Sequence, residues 1–364
     1  MRRALALLVL VASAASGAEL RYPQFPPLPA APTDPANPPT RAKRLLGTQL
    51  FFDTRLSTSG FTSCSNCHVY NTQFQDNLEK PRPDTSQGTN FFTLPSNTES
   101  LLNIAHRPFF FRDGRLQDLP HAMTEPWIEE NQQLGKTRAD AAARLSTILR
   151  GKPGYVDAFR DAFHADIRKA PDEQVFDLAG RALAVFVRQV ATRPAPFDRW
   201  NARRGKIAEA AERGVALFAG KARCAFCHFG PNFTDNAFHN VSTSLPDGAG
   251  HRPDEGRARV TGREEDRGKF LTPTLRQVVL TEPYFHDGSA FGILDVLNHL
   301  DAGAGADPNH DPLMGTPLGL TPADKSDIAA FLQTLKGPSV ILRGPNGQLC
   351  NDADIAELRR NLPR

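Results

Sequence analysis

Two short stretches with the same pattern decide the fold, Cys64-Ser65-Asn66-Cys67-His68 and Cys224-Ala225-Phe226-Cys227-His228. In each stretch two cysteines are separated by two residues, and a histidine follows at once. This spacing lets two thiols form thioethers with the vinyl groups of one haem while the next imidazole reaches the iron as proximal ligand. The sequence therefore predicts two covalently bound haem c groups, with His68 and His228 as iron ligands.

Two other chemistries also use paired cysteines. A structural zinc site combines two such pairs in one tetrahedral set, but zinc does not require a histidine at the same place after both pairs. A thioredoxin-like redox pair belongs in a βαβ context, and the sequence shows no such context. Haem attachment is favoured over both, and the unpaired Cys350 is assigned no function.

The sequence before each motif repeats as well. Gly47-x-x-Leu50-Phe51-Phe52 precedes the first motif, and Gly214-x-x-Leu217-Phe218-Ala219 precedes the second. Each is predicted to form a short helix whose Leu-Phe face packs on a haem edge, although ordinary core packing would give the same pattern. Amphipathic segments at 171–190 and 321–335 supply a helix after each motif, and Thr321-Pro322 is a suitable N-cap and first-turn pair.

The rest of the sequence has no alternating strand pattern of useful length, so we predict an all-α, loop-rich protein of two class I cytochrome c-like domains. A chain of 364 residues is longer than one hydrophobic core usually supports. The predicted divisions are a signal peptide at 1–18, an extended lead-in at 19–40, an N-terminal haem domain at 41–200, a C-terminal haem domain at 201–340 and a tail at 341–364.

The first residues predict export to the periplasm. Arg2 and Arg3 precede an apolar run from Ala4 to Val11, and the small residues that follow fit cleavage after Ala18. The run is shorter than the ~20 residues that a membrane-spanning helix needs. The 43 basic and 40 acidic residues leave a net charge of +3, which gives no reason to expect nucleic acid or an anionic membrane as a partner.

Several longer stretches resemble the bacterial dihaem cytochrome c peroxidase and MauG family. They are residues 50–57 (LFFDTRLS), residues 275–288 (LRQVVLTEPYFHDG), Asp113-Gly114-Arg115, Pro126 and Gly319-Leu320-Thr321. The resemblance covers roughly residues 40 to 337. It implies two cytochrome c domains related by a pseudo-twofold axis, with one haem that binds peroxide and another that stores or relays electrons.

The resemblance also implies site residues. The family's proximal histidines correspond to the two histidines already named, and Arg276 would neutralise a haem propionate. A calcium ion between the domains would be held by the Asn97 side chain and by backbone carbonyls at Thr281 and Pro283, because oxygen ligands suit this hard cation. Without the resemblance, Asn97 would be interpreted as a helix cap.

The sequence departs from the family at the distal face of the N-terminal haem. In the peroxidases a histidine ligates this haem in the resting oxidised enzyme, but no histidine lies between His68 and His106. We therefore predict that the N-terminal haem is five-coordinate, high-spin and open without prior reduction. In this respect the chain resembles MauG more than a peroxidase that needs activation.

The peroxide pocket is changed too. Phe111 and Pro126 match the family's pocket, but its glutamine and glutamate fall on Ala122 and Gln132. Because glutamine moves protons poorly, a nearby side chain is expected to substitute, although each candidate could equally be solvated. These candidates are Glu125, Glu129, Glu130 and His121. The predicted catalytic set is His68, Phe111, Pro126, Glu129 and Gln132.

The tryptophan that lies between the two haems in the family is replaced by Arg112. An aromatic ring can host a hole during electron hopping, whereas a guanidinium cannot. Trp127 is a candidate for that role, with ordinary packing as the alternative.

The distal ligand of the C-terminal haem is also missing. The family supplies a methionine or tyrosine from the position that Leu300 occupies here, and leucine cannot bind iron. His299, His310 and Met314 are candidates, with loop packing as the alternative for each. A register shift that brings His299 to the iron is the simplest substitute.

These features predict an oxidoreductase that uses hydrogen peroxide at the N-terminal haem and relays electrons through the C-terminal haem. The electrons would come from a small cytochrome c or cupredoxin, as in a peroxidase, or from a side chain of a protein substrate, as in MauG. The alternative is a non-enzymatic dihaem electron carrier, which the changes at Ala122 and Gln132 favour.

Overall fold

The computed structural model describes residues 22, 24–79, 96–128, 134–243, 254–303 and 307–338. The predicted signal peptide, the tail with Cys350, and Glu129, Glu130 and Gln132 lie outside this part of the chain. Within it the protein is helix-rich, as predicted, with eleven α-helices and one short pair of strands that an all-α fold does not include. None of these helices combines the length and apolar character needed to cross a bilayer.

The secondary structure is as follows. The helices are α1 (Arg41–Phe52), α2 (Cys64–Cys67), α3 (Leu119–Thr124), α4 (Arg138–Arg150), α5 (Pro153–Phe163), α6 (Asp172–Val187), α7 (Pro196–Asn201), α8 (Glu209–Ala219), α9 (Ala258–Thr261), α10 (Ile293–Ala302) and α11 (Pro322–Gln333). The strands β1 (Phe238–His239) and β2 (Phe270–Leu271) are antiparallel, with Phe238 opposite Leu271.

The helices expected after each haem motif are present as α6 and α11. The Thr321 hydroxyl accepts a hydrogen bond from the Asp324 N–H at 3.1 Å, and the Asp324 carboxylate accepts one from the Thr321 N–H at 2.9 Å. This reciprocal cap satisfies two N–H groups that the first turn leaves without helical partners. The predicted start of α11 at Thr321-Pro322 is confirmed.

Two hydrophobic cores are built around equivalent helix crossings. In the first core α1 crosses α6 at Gly47, where an added Cβ would lie 2.1 Å from the Ala182 carbonyl oxygen. In the second core α8 crosses α11 at Gly214, where an added Cβ would lie 1.9 Å from the Asp327 carbonyl oxygen. Only glycine allows the helix backbones to approach this closely, so the repeated glycines set the geometry of both crossings.

The repeated phenylalanines lie one turn after these glycines. Phe51 packs against Phe186 with ring centroids 4.7 Å apart, and Phe218 packs against Phe331 at 5.0 Å. All four rings are buried. The two halves therefore use the same aromatic contact to fix the helices that flank each haem motif.

A second pair of segments has the same backbone course. Residues 103–114 and 277–288 each begin with a left-handed residue, continue through a 3-10 turn and reach a phenylalanine with positive φ. That angle is +65° at Phe111 and +66° at Phe285, in a region that L-residues rarely adopt. Two loops with such an uncommon shape, at equivalent places in the two halves, indicate an internal duplication larger than the haem motifs alone.

Candidate haem sites

The first motif holds its histidine through a backbone carbonyl. Residues Cys64–Cys67 form the single turn of α2, and the His68 N–H donates to the Cys64 carbonyl at 2.9 Å. The Nδ1 atom of His68 lies 3.1 Å from the carbonyl oxygen of Phe74, a buried residue with φ +59°. Because Nδ1 is the donor in this contact, Nε2 keeps the lone pair that an iron ligand needs.

The second motif repeats this arrangement. The His228 N–H donates to the Cys224 carbonyl at 2.9 Å, and Nδ1 of His228 lies 2.9 Å from the Phe233 carbonyl oxygen. Phe233 is also buried, with φ +52°. Both proximal loops therefore orient an imidazole in the same way, with Nε2 as the nitrogen for iron.

Burial controls the protonation of these groups. It lowers the pKa of His68 and of His228, which favours the neutral ring that binds a metal. It raises the pKa of the Cys64, Cys67 and Cys224 thiols to about 12.

The two motifs also line separate cavities. Cys64 and Cys67 belong to one cavity, whereas Cys224 and Cys227 belong to another. Among the described residues no cluster of metal-binding side chains combines the two cysteine pairs. A single tetrahedral zinc site built from both motifs is therefore not formed.

The N-terminal cavity is narrow, about 50 Å³, and mostly apolar. It is lined by Phe51, Thr62, Ser63, Cys64, Cys67, His68, Leu101, Met123, Pro126 and Leu183. Pro126 thus faces the first haem motif. Met123 does so too, although sequence reasoning did not select it, and its thioether is a group that can ligate haem iron. Met123 is adjacent to Ala122, which matches a pocket residue of the family, and this adjacency could have identified it from the sequence.

Of the other predicted pocket residues that the structure describes, none lies in the wall of this cavity. The Arg115 guanidinium covers the Phe111 ring at 3.7 Å, and Nε of Arg115 lies 3.8 Å from the Glu125 carboxylate. Ala122 is buried in α3, and His121 is exposed on the same helix. Glu125 is the acidic candidate that the described residues include, and it directly precedes Pro126, which lines the cavity.

The C-terminal cavity is larger, about 270 Å³, and its wall is also mainly apolar. Leu300 lines it, at the position from which the family supplies an iron ligand. Met314 lines it as well and is buried at the end of a 3-10 turn. The Arg223 side chain donates to the Leu313 carbonyl at 3.3 Å and holds this turn in place. Met314 therefore stays a candidate for the distal ligand.

The two histidine candidates are directed elsewhere. Nε2 of His299 donates to the Val241 carbonyl at 2.7 Å, and its ring packs edge-on against Phe285 at 5.0 Å. Nδ1 of His310 donates to the Asp307 carbonyl at 2.6 Å. Neither histidine lines the cavity. The expected register shift is thus absent, because Leu300 rather than His299 lies on the apolar face of α10.

A histidine that sequence reasoning missed lies in the wall of this cavity. His239 contacts Asp235 through Nε2 at 2.8 Å and Asp311 through Nδ1 at 2.6 Å. The hydrogen bond to Asp235 is the largest cause that raises the pKa of His239 to about 11. An imidazolium held between two carboxylates therefore faces the C-terminal cavity. Asp311 is remote from His239 in sequence, so no local pattern marked the site.

The predicted propionate partner, Arg276, already has an anionic partner. Its guanidinium makes two hydrogen bonds to the Asp198 carboxylate, at 2.9 and 3.0 Å, and Nε donates to the Pro231 carbonyl at 2.7 Å. Arg276 and Asp198 are both buried. The role of Arg276 toward a propionate stays a prediction, since Asp198 neutralises its charge within the protein.

Trp127 packs in the N-terminal core. Its side chain is buried, and its ring lies 5.7 Å from the Phe176 ring between centroids. It lines neither haem cavity. The structure therefore favours the packing interpretation of Trp127 over electron hopping.

Two of the predicted calcium ligands, Asn97 and Pro283, lie together, but they are joined directly by a hydrogen bond. The Asn97 side-chain amide donates to the Pro283 carbonyl at 3.3 Å and to the Leu78 carbonyl at 3.0 Å. Its Oδ1 atom accepts from Arg112 at 3.2 Å. The Thr281 hydroxyl donates to the carbonyl of Val278. The Asn97 Oδ1 atom and the Pro283 carbonyl oxygen are therefore both engaged in hydrogen bonds within the protein.

The lining residues suit haem in three respects, the third at the C-terminal site alone. Each joins two cysteines and an oriented histidine in one apolar wall. The two motifs are held by the same contacts in both halves. In the C-terminal wall, the buried Nε of Arg112 has no hydrogen-bond partner within the described residues, and a haem carboxylate would satisfy this donor.

Comparisons with known protein families agree with this arrangement. A family model described as di-haem cytochrome c peroxidase matches residues 41–206, and a cytochrome c model matches residues 211–336. Together the two matches include both haem motifs and both glycine crossings.

Individual relatives extend the match to most of the chain. The methylamine utilization protein MauG of Methylorubrum extorquens is 33% identical over 84% of this chain and 81% of its own length. Cytochrome c551 peroxidase of Nitrosomonas europaea is 33% identical over 67% of this chain and 68% of its own. A crystal structure of a MauG-like protein associated with microbial copper homeostasis has a TM-score of 0.72, with 27% identity over 90% of this chain and 97% of the other. The chain therefore belongs to the dihaem cytochrome c peroxidase and MauG family of oxidoreductases.

Proposed function

We propose that this chain is a periplasmic oxidoreductase in which hydrogen peroxide is reduced at the cavity of His68 and electrons pass through the haem held at His228. The main support is the pair of equivalent proximal loops, each with Nδ1 of its histidine bound to the carbonyl of a left-handed phenylalanine. When bound, haem supplies an iron that can accept peroxide and exchange electrons. The protein supplies orientation, an apolar wall and proton donors.

At the N-terminal site the side chains hold the ligand and restrict access. The Phe74 carbonyl keeps the His68 ring fixed, and Pro126 narrows the apolar cavity. Peroxide reduction needs protons, and Glu125 lies one residue before Pro126, beside the Arg115 guanidinium. We propose Glu125 as proton donor, and Glu129 and Gln132 remain predicted members of this pocket.

At the C-terminal site the proposal is electron relay. Met314 is the candidate for the distal ligand because its side chain is buried in the cavity wall. His239 supplies a positive charge in the same wall, between two carboxylates. A haem held at His228, with Met314 and these charges in the same wall, would suit electron transfer rather than peroxide binding.

The names of two relatives suggest which electron sources to propose for this chain. One relative is named a cytochrome c551 peroxidase and another a methylamine utilization protein. For this chain we propose either a small periplasmic cytochrome c or cupredoxin as donor, or a side chain of a protein substrate. The absence of a histidine between His68 and His106 favours the MauG-like mode. Calcium is not part of this proposal.

Met123 supports a second mode at the same site. Its side chain lines the N-terminal cavity, so its thioether would be available to help hold a haem there. The protein would then be a peroxidase that needs activation, with Met123 in the role that a histidine has in the family. The two modes differ in the spin state of the resting oxidised protein.

Electron paramagnetic resonance of the oxidised holoprotein, followed by titration with hydrogen peroxide, separates these modes. We expect a high-spin signal that disappears on adding peroxide. A resting protein with low-spin signals alone, whose Met123→Leu variant becomes high-spin and reactive, would establish the activated mode. Low-spin signals and no peroxide response in both proteins would refute the enzymatic proposal and support the electron carrier.

Matched variants test which haem reacts. His68→Gly should abolish the peroxide response and leave the spectrum of the C-terminal haem intact. His228→Gly, the equivalent change in the second motif, should leave a high-spin signal that still responds to peroxide. The opposite pattern would show that the two haems have exchanged roles.

A further inference from the structure

We infer that Arg112 replaces the divalent cation between the two halves, and that this chain binds no calcium at Asn97. The family resemblance assigns calcium to the Asn97 side chain and to the carbonyls of Thr281 and Pro283. In the structure, hydrogen-bond donors of the protein occupy the Asn97 side-chain oxygen and the Pro283 carbonyl oxygen.

Asn97 is buried and fully engaged with the protein. Its backbone N–H donates to the His286 carbonyl at 2.7 Å. Its side-chain Nδ2 points to the Leu78 carbonyl at 3.0 Å and the Pro283 carbonyl at 3.3 Å. The amide therefore presents its donor to a carbonyl that calcium would need, and its single side chain joins the two halves without a metal.

The orientation of this amide is set by Arg112. One guanidinium nitrogen, Nη2, donates to Asn97 Oδ1 at 3.2 Å and to the Asn97 backbone oxygen at 3.3 Å. A guanidinium can only donate, so the oxygen end of the amide must face it. Calcium would require Oδ1 to turn toward the Pro283 carbonyl. That turn would place the amide N–H groups against the N–H groups of Arg112, with donors facing donors.

The charge balance agrees with this geometry. Arg107 pairs with Glu99 at 2.6 Å, and Arg112 is attracted by Glu99 and Asp287. The cluster therefore already contains the positive charge that its carboxylates need, and a calcium ion beside Arg112 would be repelled.

The neighbouring carbonyl is also taken by a protein donor. Nε2 of the buried Gln75 donates to the Glu282 carbonyl at 2.7 Å. The segment 281–283 is thus tied to the N-terminal half by two side-chain amides, from Gln75 and Asn97. These bonds supply the connection between the halves that calcium would otherwise provide.

Calcium binding by the dihaem protein tests this inference without use of peroxide, so the outcome is independent of the proposed function. The protein is treated with EGTA, dialysed, titrated with calcium chloride by calorimetry and assayed for bound calcium by mass spectrometry. We expect no binding heat, less than about a tenth of a calcium ion per chain, and the same melting temperature and haem spectrum with or without EGTA. About one ion per chain whose removal changes the haem spectrum would overturn the inference.

Two variants separate the contact from the charge. Arg112→Trp removes the guanidinium from Asn97 and should gain one calcium site, with affinity at least about tenfold above the parent protein. Arg107→Gln removes the same charge nearby but keeps the Arg112–Asn97 contact, and should bind no calcium. If the indole of Arg112→Trp prevents folding, Arg112→Gln is used in its place. Failure of every Arg112 variant that folds to bind calcium would show that Arg112 is not the cause.

Discussion

Replacing Gly214 with alanine is expected to destabilise the protein by ~2 kcal/mol, because α8 crosses α11 at this residue. The new Cβ would lie 1.9 Å from the Asp327 carbonyl oxygen, whereas carbon–oxygen contacts need about 3.3 Å. The helices must therefore separate by more than ~1 Å. Alanine gains ~1 kcal/mol of helix propensity, but overpacking of a core costs ~1–3 kcal/mol and sometimes more. A backbone oxygen cannot rotate away, so we expect the upper end of that range.

The other half of the molecule offers the equivalent substitution and a control. In Gly47→Ala the Cβ would meet the Ala182 carbonyl oxygen at 2.1 Å, so a loss of similar size is expected. Gly151 ends α4 in a right-handed conformation, and its nearest added contact is 3.5 Å. Gly151→Ala should therefore be neutral or stabilising by ~0.4–1 kcal/mol, through the unfolded state.

The assay is urea unfolding of the holoprotein, followed by far-ultraviolet circular dichroism and by the Soret band. A midpoint shift with an unchanged slope reports stability rather than a change in compactness. Equal midpoints for Gly214→Ala and Gly151→Ala would refute the close helix crossing. A loss in Gly214→Ala without a comparable loss in Gly47→Ala would show that the two helix crossings are not energetically equivalent.

Two further predictions concern buried charges near the haem motifs. Asp198→Asn should destabilise the protein by ~3–5 kcal/mol, because it leaves the buried Arg276 guanidinium without its carboxylate partner; thermal melts should show partial recovery when Arg276→Gln is added, and no recovery would argue against the pair. The hydrogen bond to Asp235 raises the folded pKa of His239 above its ordinary value of 6.5, so its charge contributes stability that is fully present below pH 6.5 and is lost as the pH rises through the raised pKa. The difference in melting temperature between the parent and His239→Gln should shrink over that range, and a constant difference would contradict the assignment.

The haem motifs and their flanking helices could be read from sequence because they depend on local spacing. Two cysteines and a histidine within five residues predict haem attachment from their local spacing alone, and Thr321 caps its helix through a contact with Asp324, only three residues away. Contacts across long sequence separations gave no such signal. His239 takes one partner from 72 residues away, and that proximity is a product of the fold.

The distal ligand shows a different limit. His299 and Leu300 are adjacent in α10, and neighbouring helical residues point about 100° apart. The apolar stripe Ile293, Val296, Leu297 and Leu300 faces the C-terminal cavity, which places His299 to one side. Helical periodicity contained this information, because the stripe fixes the rotation of the helix. Turning α10 to bring His299 to the cavity would expose this apolar stripe to solvent. His299 was the simplest substitute ligand in chemical terms, but the loss of apolar burial makes that arrangement unfavourable.

The duplicated loops explain where the two halves stop being equivalent. Arg112 and His286 occupy the same place in segments with the same backbone course, yet both line the C-terminal cavity. Asn97 contacts both loops, since its N–H donates to the His286 carbonyl and its Oδ1 accepts from Arg112. Helix crossings and proximal loops can stay duplicated because each serves its own haem. The two loops differ in side chain at this place, a guanidinium in one and an imidazole in the other, and because both line the C-terminal cavity they make the two haem environments unequal.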